Sequence, residues 1–206
     1  MEIRDLGRMP YRLAHEAQRK CRDELLAGAG PEVLLLVEHP PVITLGRSAT
    51  PADLGIGREA WGEKGVDVVE VERGGRATYH GPGQVVAYPI VDLRRRGRDL
   101  RAYVRALEDA GAAAVIRFGV EARPGRDPIG VFVGEAKIGS IGVAVSRWVT
   151  QHGISLNVAN DLGIYRFFTP CGLTGVSMTR LCDLAEVSFD DARTALTEEI
   201  SARLRE

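Results

Sequence analysis

The spacing of apolar residues near the start of the chain predicts an amphipathic helix. We expect this helix to begin near Pro10, because proline fits the first helical turn. Its apolar positions recur at intervals of four residues, namely Leu13, Ala17, Cys21 and Leu25. Cys21 is on this apolar stripe, so we interpret it as a core residue rather than a reactive one.

Two further helices and a set of short strands follow from the same reasoning. One helix is predicted over residues 98–118, and a last helix is predicted after Ser188, which suits an N-cap. The inner face of the former is Leu100, Tyr103, Val104, Leu107 and Ala110, and that of the latter is Phe189, Ala192, Leu196, Ile200 and Leu204. Strands are predicted at residues 33–38, 42–45, 66–71, 85–91, 130–133, 138–146 and 154–158.

The order of these elements indicates the fold class. Helices and strands do not alternate as regular βαβ units, and no linker rich in proline, glycine or serine divides the chain. The sequence therefore predicts one α+β domain over residues 1–206, with a mixed or largely antiparallel sheet flanked by helices.

Composition and charge narrow the range of functions. The chain is 45% hydrophobic and 27% charged with a net charge of −1, which argues against a nucleic-acid-binding protein. The charged opening segment is not typical of a secretory signal, and no apolar run is long enough for a membrane helix. Three cysteines without metal-ligand spacing favour reduced thiols in the cytoplasm. We expect neither a metal nor a cofactor.

A glycine pattern at residues 55–60, GIGREA, matches the dinucleotide-binding fingerprint but is not interpreted as one. The fingerprint has meaning only where a strand leads into it within a βαβ unit. Here the preceding residues are Pro51, Ala52 and Asp53, so we predict a loop.

Lys137 is a candidate for chemistry because lysine is rare in this chain. Of 27 basic residues, only Lys20, Lys64 and Lys137 are lysines. Lys137 stands in the segment GEAKIG, which leads into a strand of small and apolar residues. A desolvated lysine can lose its proton and an arginine cannot, so Lys137 is a candidate base or a partner of a thiolate. The alternative is a strand-edge lysine whose amine reaches water.

Cys171 is a second candidate, since it stands between Pro170 and Gly172. These neighbours favour a rigid, uncrowded turn with backbone N–H groups nearby, which suits a nucleophile and an oxyanion hole. A buried, inert cysteine in a loop is an equally good interpretation of this local context.

The segment at residues 73–84, RGGRATYHGPGQ, links two predicted strands and contains four glycines. So many glycines allow a backbone to approach a ligand closely, and the segment is long for a simple hairpin loop. His80 within it is a candidate acid–base or hydrogen-bonding group. His39, before a proline, suits a structural role, and His152 is a candidate for lining a site.

These motifs together carry a resemblance to a known family. In order along the chain they are VLLLVEHPPVITLGR at 33–47, RGGRATYHGPGQ at 73–84, GEAKIGSIG at 134–142, HGISLNV at 152–158 and the Pro-Cys-Gly at 170–172. The sequence resembles the octanoyl-carrier-protein:protein N-octanoyltransferases, or lipoyl(octanoyl) transferases, of the lipoate–biotin protein ligase superfamily. The resemblance covers nearly the whole chain and implies a sheet flanked by helices, like the catalytic domain of biotin ligases.

The resemblance also implies roles for individual residues. Cys171 would carry the acyl group as a thioester, and Lys137 would lower the pKa of its thiol or act as base. The residues implied to line the acyl pocket are Arg73, Gly74, Gly75, Arg76, Ala77, Thr78, Tyr79, His80, Ser140, Ile141, Gly142, Gly153, Ile154 and Ser155. The segment GVSMTR at 175–180 departs from the family pattern, which leaves contacts at the pocket rim open.

The implied partners are an octanoyl-acyl carrier protein and the lipoyl-accepting domains of 2-oxoacid dehydrogenase E2 subunits and glycine cleavage H protein. A monomer is expected. Arginines at 94, 95, 96, 98 and 101 are candidates for docking an acidic carrier, although a solvated loop explains them as well. Two alternatives stay open: an ATP-dependent lipoate ligase of the same superfamily, and a non-catalytic module that binds an acylated carrier. The Pro-Cys-Gly cysteine and the Gly81-Pro82-Gly83-Gln84 that follows His80 favour the transferase.

Overall fold

The structure, a computed structural model, describes residues 1–168 and 175–205. Within these residues ten strands form a seven-stranded sheet, in the order β1-β2-β6-β10-β9-β8-β7, and a three-stranded sheet, in the order β4-β3-β5. The strands are β1 Glu2–Arg8, β2 Val33–Glu38, β3 Val42–Leu45, β4 Asp67–Glu70, β5 Ala77–His80, β6 Gln84–Ile90, β7 Arg123–Pro124, β8 Val131–Val133, β9 Ala136–Ser146 and β10 Val149–Asn157.

Helices cover both faces of the large sheet. The four α-helices of the described part of the chain are α1 Tyr11–Leu26, α2 Arg58–Glu63, α3 Leu100–Ile116 and α4 Phe189–Arg203. α1 packs with β2 and β6 in one hydrophobic cluster, whereas α3 and α4 pack on the opposite face in another. β1 pairs with β2 in parallel and the other pairs of the large sheet are antiparallel, so the predicted α+β class with a mixed sheet is confirmed.

α1 begins where the sequence predicts, with Pro10 at its N-cap, but its buried face is rotated from the predicted stripe. Leu13 is 53% exposed, while Tyr11, Ala14 and Gln18 are buried beside Cys21. The prediction for Leu13 was wrong because the helix buries a tyrosine and a glutamine against β10, which a purely apolar pattern does not detect. Cys21 is a core residue, as predicted.

The later helices follow their predicted faces closely. In α3, Tyr103 and Leu107 are fully buried, but Leu100 in the first turn is 42% exposed, contrary to the prediction. Ser188 caps α4 by accepting a hydrogen bond from the backbone N–H of Asp191, as predicted. α4 buries Ala192, Leu196, Ile200 and Leu204.

The predicted strands β2 and β3 have the observed bounds, and three other strands were missed. β1 has only two large apolar residues, Ile3 and Leu6, and lies at a sheet edge, where backbone pairing with β2 holds it while Ile3 is 52% exposed. β5 lies inside the glycine-rich segment, and β7 has only two residues. The segment at 55–60 follows a 3₁₀ turn, Pro51–Leu54, and no strand leads into it, so it is not a dinucleotide-binding fingerprint. The prediction of a loop holds only for residues 55–57, because α2 begins at Arg58.

Among the helices that the structure describes, none combines the length and apolar character needed to cross a bilayer.

Candidate active site

A cavity of about 470 Å³ lies where the two sheets meet, and its wall contains most of the residues singled out in the sequence. Small side chains of β9 and β10 form part of this wall, because Gly142 pairs with Gly153 and Ser140 with Ser155 across the two strands. The predicted residues that line the cavity are Arg73, Gly74, Gly75, Arg76, Thr78, His80, Lys137, Ser140, Ile141, Gly142, Gly153, Ile154 and Ser155.

Two of the predicted lining residues, Ala77 and Tyr79, are not part of the cavity wall. They belong to β5, in which successive side chains point to opposite faces. Thr78 and His80 face the cavity, whereas Ala77 and Tyr79 pack in a separate hydrophobic cluster with Trp61. The prediction treated residues 73–80 as one loop and therefore missed this alternation.

The buried side chain of Arg73 forms part of the cavity wall. Its guanidinium donates hydrogen bonds to the backbone carbonyl and the hydroxyl of Thr44, both at 2.7 Å. The side chain passes between two glycines: a Cβ on Gly46 would come within 2.8 Å of its Nη1, and a Cβ on Gly142 within 2.8 Å of its Cδ. These glycines are therefore required for a buried arginine beneath the cavity.

Lys137 is almost completely buried, with 2% of the residue exposed. Its ammonium group donates a hydrogen bond of 2.9 Å to the carbonyl of Ile129 and lies 5.8 Å from the centre of the Phe132 ring. The lysine therefore does not extend into water from a strand edge, as the alternative interpretation required. Its amine lies in the wall of the cavity.

The loop that accepts the Lys137 hydrogen bond is anchored by a buried carboxylate. Glu108, 1% exposed, accepts hydrogen bonds from the backbone N–H groups of Arg126 and Gly130, at 2.8 and 3.0 Å. Gly130 has a φ of +151°, and a Cβ there would lie 2.6 Å from Cε of Lys137. Gly130 therefore leaves the space that the Lys137 side chain occupies.

The backbone of Lys137 pairs with the segment that follows the Pro-Cys-Gly motif. The N–H of Lys137 donates to the carbonyl of Ser177 at 2.8 Å, and its carbonyl accepts from the N–H of Thr179 at 3.0 Å. Cys171 itself lies outside the described residues. In sequence it stands six residues before Ser177, so the segment carrying it leads directly into the pairing with Lys137.

All four histidines of the chain gather around Tyr11 and β10, a set that we call the histidine cluster: His15, His39, His80 and His152. Tyr11 hydrogen-bonds His152 at 3.1 Å, and Tyr88 hydrogen-bonds His39 at 2.9 Å. Tyr11, Tyr88, His80 and His152 line the cavity. Neither tyrosine was predicted from the sequence, although the aromatic residue at the start of α1 and the tyrosine within the apolar β6 were available signals.

His39 fills the structural role predicted for it. One ring nitrogen bonds the carbonyl of Met9 at 2.8 Å and the other bonds Tyr88, and the residue is fully buried. His152 lines the cavity, as proposed from sequence, and adopts a left-handed backbone conformation with a φ of +57°.

His15, Glu72 and His152 bring their ligand atoms within 4.8 Å of one another, which is a possible arrangement for a metal. The hydrogen bonds of His15 argue against a metal site at these residues. Arg19 can only donate, and its Nη2 lies 3.1 Å from Nδ1 of His15, so that nitrogen accepts. The proton is then on Nε2, which lies 3.0 Å from Glu72 and donates to it. His15 and Glu72 are thus arranged as a hydrogen-bonded pair.

Burial keeps three members of the histidine cluster neutral. Desolvation lowers the pKa of His39 to about 4 and, together with the nearby His39, lowers the pKa of His80 to about 3. Desolvation also lowers the pKa of His152. A buried imidazole without a counter-charge loses more by becoming charged than an imidazole in water does.

These lowered pKa values predict that the fold loses stability in mild acid. Between about pH 6.5 and 4, the unfolded chain binds protons at these histidines that the folded chain does not, so the free energy of unfolding decreases as the pH is lowered. Each histidine contributes up to about 1.4 kcal/mol per pH unit in this window. Urea unfolding at about pH 7.5 and about pH 5 measures the effect. Equal free energies of unfolding at the two pH values would contradict neutral burial of the cluster.

Two of the arginines considered for carrier docking are used within the fold. Arg96 forms a bidentate ion pair with the buried Glu32, at 2.6 and 2.7 Å, and Arg94 pairs with Asp92 at 2.7 Å. Arg98 and Arg101 are exposed and flank Leu100, which lines the cavity.

The chain is similar to curated octanoyltransferases over most of its length. It is 46% identical to that of Geobacter metallireducens, covering 88% of this chain and 82% of the relative. It is 42% identical to that of Desulfovibrio desulfuricans, covering 95% and 83%. It is 41% identical to that of Novosphingobium aromaticivorans, covering 98% and 90%.

Solved structures similar to the fold include lipoate and biotin protein ligases. A lipoate-protein ligase A bound with ATP has a TM-score of 0.74 and 19% identity, covering 99% of this chain and 86% of that chain. The archaeal lipoylation system of Thermoplasma acidophilum, a bipartite ligase with its E2 lipoyl domain, has a TM-score of 0.73 and 20% identity, covering 98% and 83%. A biotin protein ligase from Leishmania major has a TM-score of 0.58 and 13% identity, covering 97% and 72%. These likenesses confirm the fold predicted from the resemblance.

The family called lipoyl protein ligase A/B catalytic domain matches residues 10–201, which include every candidate site residue. With the identity to the curated relatives, this match confirms the family resemblance seen in the motifs. The chain belongs to the lipoyl protein ligase A/B catalytic-domain family.

Proposed function

We propose that this protein is an octanoyltransferase that moves an octanoyl group from an acyl carrier protein, through a thioester on Cys171, to a lysine of a lipoyl-accepting protein. The octanoyltransferases at 41–48% identity support the activity. The structural observation that carries the proposal is the buried amine of Lys137 in the wall of the cavity. The strand of this lysine pairs with the segment that follows Cys171.

The first half-reaction is an exchange of thioesters. The thiolate of Cys171 attacks the carbonyl carbon of the acyl-carrier thioester, and a new C–S bond forms as the old one breaks. The carrier leaves as a thiolate that takes up the proton of the Lys137 ammonium, so Lys137 becomes a free amine. Lys137 as an ammonium would favour the Cys171 thiolate, because an adjacent positive charge stabilises it. Exchange of one thioester for another is close to isoenergetic, so the acyl-enzyme forms reversibly without an energy source.

The second half-reaction forms an amide. The amine of the acceptor lysine attacks the acyl-enzyme carbonyl, the C–S bond breaks, and the proton lost by the amine passes to Lys137 or to the Cys171 sulfur. An amide is more stable than a thioester, so this step drives the whole transfer. The scheme needs no nucleotide and no metal.

The cavity suits a medium-length acyl chain. Its glycines and serines on β9 and β10 leave room beside the sheet, and Ile141 and Ile154 provide apolar surface. Burial of each methylene contributes about 0.8 kcal/mol, so the acyl chain of the substrate supplies much of its own binding energy.

We also infer the partners and setting that follow from this activity. The donor is an acyl carrier protein, for which Arg98 and Arg101 offer exposed positive charge near the cavity. The acceptors are lipoyl domains of 2-oxoacid dehydrogenase E2 subunits and glycine cleavage H protein. We infer one catalytic domain over residues 1–206 that acts as a monomer in the cytoplasm.

Transfer without nucleotide is the experiment that separates this activity from that of a ligase. The protein, octanoyl-acyl carrier protein and an apo lipoyl domain are mixed without ATP, and the mass of the lipoyl domain is followed. We expect complete octanoylation, because the thioester supplies the driving force. Modification that requires ATP and free octanoate would assign the chain to the ligases, and no modification in either mixture would favour a non-catalytic binding module.

Gly130→Ala is expected to slow transfer roughly 10- to 100-fold, since displacing a reacting group by about 1 Å has effects of this size. The new Cβ would lie 2.6 Å from Cε and 3.0 Å from Nζ of Lys137, and 2.9 Å from the carbonyl oxygen of Gly139, so the amine and the backbone beside it must shift. The kcat for transfer and the melting temperature are measured together.

Gly62→Ala in α2 is the matched control, because a Cβ there has no neighbour within 4 Å. It should transfer at the wild-type rate. A folded Gly130→Ala protein with wild-type kcat would show that the position of the Lys137 amine does not matter for transfer.

A further inference from the structure

A chain of buried amide groups connects the cavity to the strand of Lys137. Asn157, at the end of β10, donates from Nδ2 to the backbone carbonyl of Thr179 at 3.0 Å and accepts at Oδ1 from Nε2 of Gln84 at 2.9 Å. Gln84 Oε1 lies 2.7 Å from Nδ1 of His80. Gln84 and Asn157 are 1% and 2% exposed, so water does not compete for these bonds.

The direction of every bond in this chain is determined by two backbone carbonyls, which can only accept. The carbonyl of Thr179 requires the amide nitrogen of Asn157 to face it, so Oδ1 of Asn157 faces Gln84. The carbonyl of Tyr79, 3.2 Å from Nε2 of Gln84, independently requires the same orientation of the Gln84 amide. Gln84 therefore presents an oxygen to His80, and Nδ1 of His80 must carry the proton.

The second ring nitrogen of His80 is then an acceptor. Desolvation lowers the pKa of His80 to about 3, so the ring is neutral near pH 7 and Nε2 has a free lone pair. His80 is 7% exposed and lines the cavity, and within residues 1–168 and 175–205 the only hydrogen bond of its imidazole ring is the one to Gln84.

We infer that His80, held in the Nδ1–H tautomer by Gln84 and Asn157, uses its unprotonated Nε2 to accept a hydrogen bond from the amine of the incoming acceptor lysine. This inference rests on the proposed function and gives His80, a residue expected to line the acyl pocket, a specific role toward the second substrate. An acyl chain has no N–H to donate, and an oxyanion needs donors rather than an acceptor. The attacking amine has an N–H to donate and a lone pair with which to attack. One N–H donates to Nε2 of His80 while the lone pair points at the thioester carbon.

Gln84 and Asn157 are positioning residues in this arrangement, because they act on the substrate only through His80. The same chain of bonds ends on Thr179, whose N–H bonds the carbonyl of Lys137. His80 and the strand of Lys137 are thus linked through one buried network.

The tautomer is tested directly by ¹⁵N NMR of the imidazole rings in the wild-type protein, with the His80 signals assigned by their loss in His80→Asn. We expect a protonated Nδ1 and an unprotonated Nε2 near pH 7. A proton on Nε2, or a doubly protonated ring, would overturn the inference without any use of activity. The NMR measurement remains possible even if His80→Asn folds poorly, because the His80 signals of a double-labelled wild-type sample can be assigned through the backbone.

The role is tested by single-turnover kinetics of His80→Asn. Asparagine keeps a donor near the position of Nδ1 for Gln84 and lacks the acceptor at Nε2. We expect acyl-enzyme formation within a few-fold of wild type and transfer to the lipoyl domain slowed roughly 10- to 100-fold, the effect of losing one hydrogen bond in the transition state. His15→Asn, the same change at a histidine that does not line the cavity, should leave both steps unchanged.

Each result decides a different point. Wild-type transfer in a folded His80→Asn protein overturns the inference and leaves the proposed function intact. Slowed acyl-enzyme formation with unchanged transfer also overturns it, since Nε2 would then serve an amide N–H of the carrier arm. If the wild-type protein forms no acyl-enzyme but its NMR spectrum has the expected tautomer, the proposed function fails and the tautomer stands.

Discussion

Replacing Cys171 with alanine is expected to lower octanoyl transfer by at least roughly 10³-fold, since removal of a covalent nucleophile has effects of this order or greater. Without the sulfur, no thioester can form on the enzyme, and the carrier thioester and the acceptor lysine would have to meet directly. The cavity would still bind the acyl chain, so binding of the acylated carrier should change little. The rate of lipoyl-domain octanoylation, followed by mass, measures the effect.

The chain offers a matched control in Cys182. This residue is exposed, and its thiol donates a hydrogen bond of 3.7 Å to the carboxylate of Asp183. Cys182→Ala should transfer octanoyl at the wild-type rate. A Cys171→Ala protein with substantial activity would remove Cys171 from the mechanism, and loss of activity in Cys182→Ala instead would move the nucleophile there.

Lys137→Arg should reduce kcat by about 10²- to 10³-fold, within the range that general acid–base groups contribute. The change keeps a positive charge but removes a group that can give up its proton, because the guanidinium stays protonated in proteins. Arginine is also larger, and the lysine lies close against Gly130 and the carbonyl of Ile129. The kcat for transfer and the amount of acyl-enzyme formed are measured.

Lys20→Arg is the control for this substitution, since Lys20 has 78% of its side chain exposed and pairs only loosely with Glu24, at 3.9 Å. It should be fully active. Full activity in Lys137→Arg would limit Lys137 to an electrostatic role or none, whereas an acyl-enzyme that forms normally and then persists would place its proton transfer in the second step.

The sequence predicted the interior of the fold better than its edges. β2 and β3 were correct to the residue because unbroken apolar runs are bounded there by prolines at 40 and 41. β1 was missed because an edge strand is held by backbone hydrogen bonds, which leave no apolar pattern. Leu13 and Leu100 were placed inside although each is about half exposed, since periodicity does not show which apolar residues find a partner.

The candidate site was also predicted only in part, because a sequence pattern does not show which residues come into contact. Glycine-rich segments and an isolated lysine can be recognised from the sequence alone, and most of these residues lie at one cavity. The side on which each residue of β5 faces was not visible, so Ala77 and Tyr79 were assigned with their neighbours. Tyr11 and the histidine cluster come together from α1, the segment between β2 and β3, β5 and β10 through contacts distant in sequence, which no local pattern encodes.

The central claim is that the acyl group passes through a thioester on Cys171, and the intact mass of the wild-type protein after mixing with octanoyl-acyl carrier protein tests it most directly. The account predicts one added octanoyl group, released by hydroxylamine and located by fragmentation on the peptide that contains Cys171. An octanoyl group on the peptides of Cys21 or Cys182, or efficient transfer to a lipoyl domain with no acyl-enzyme at any time, would contradict it.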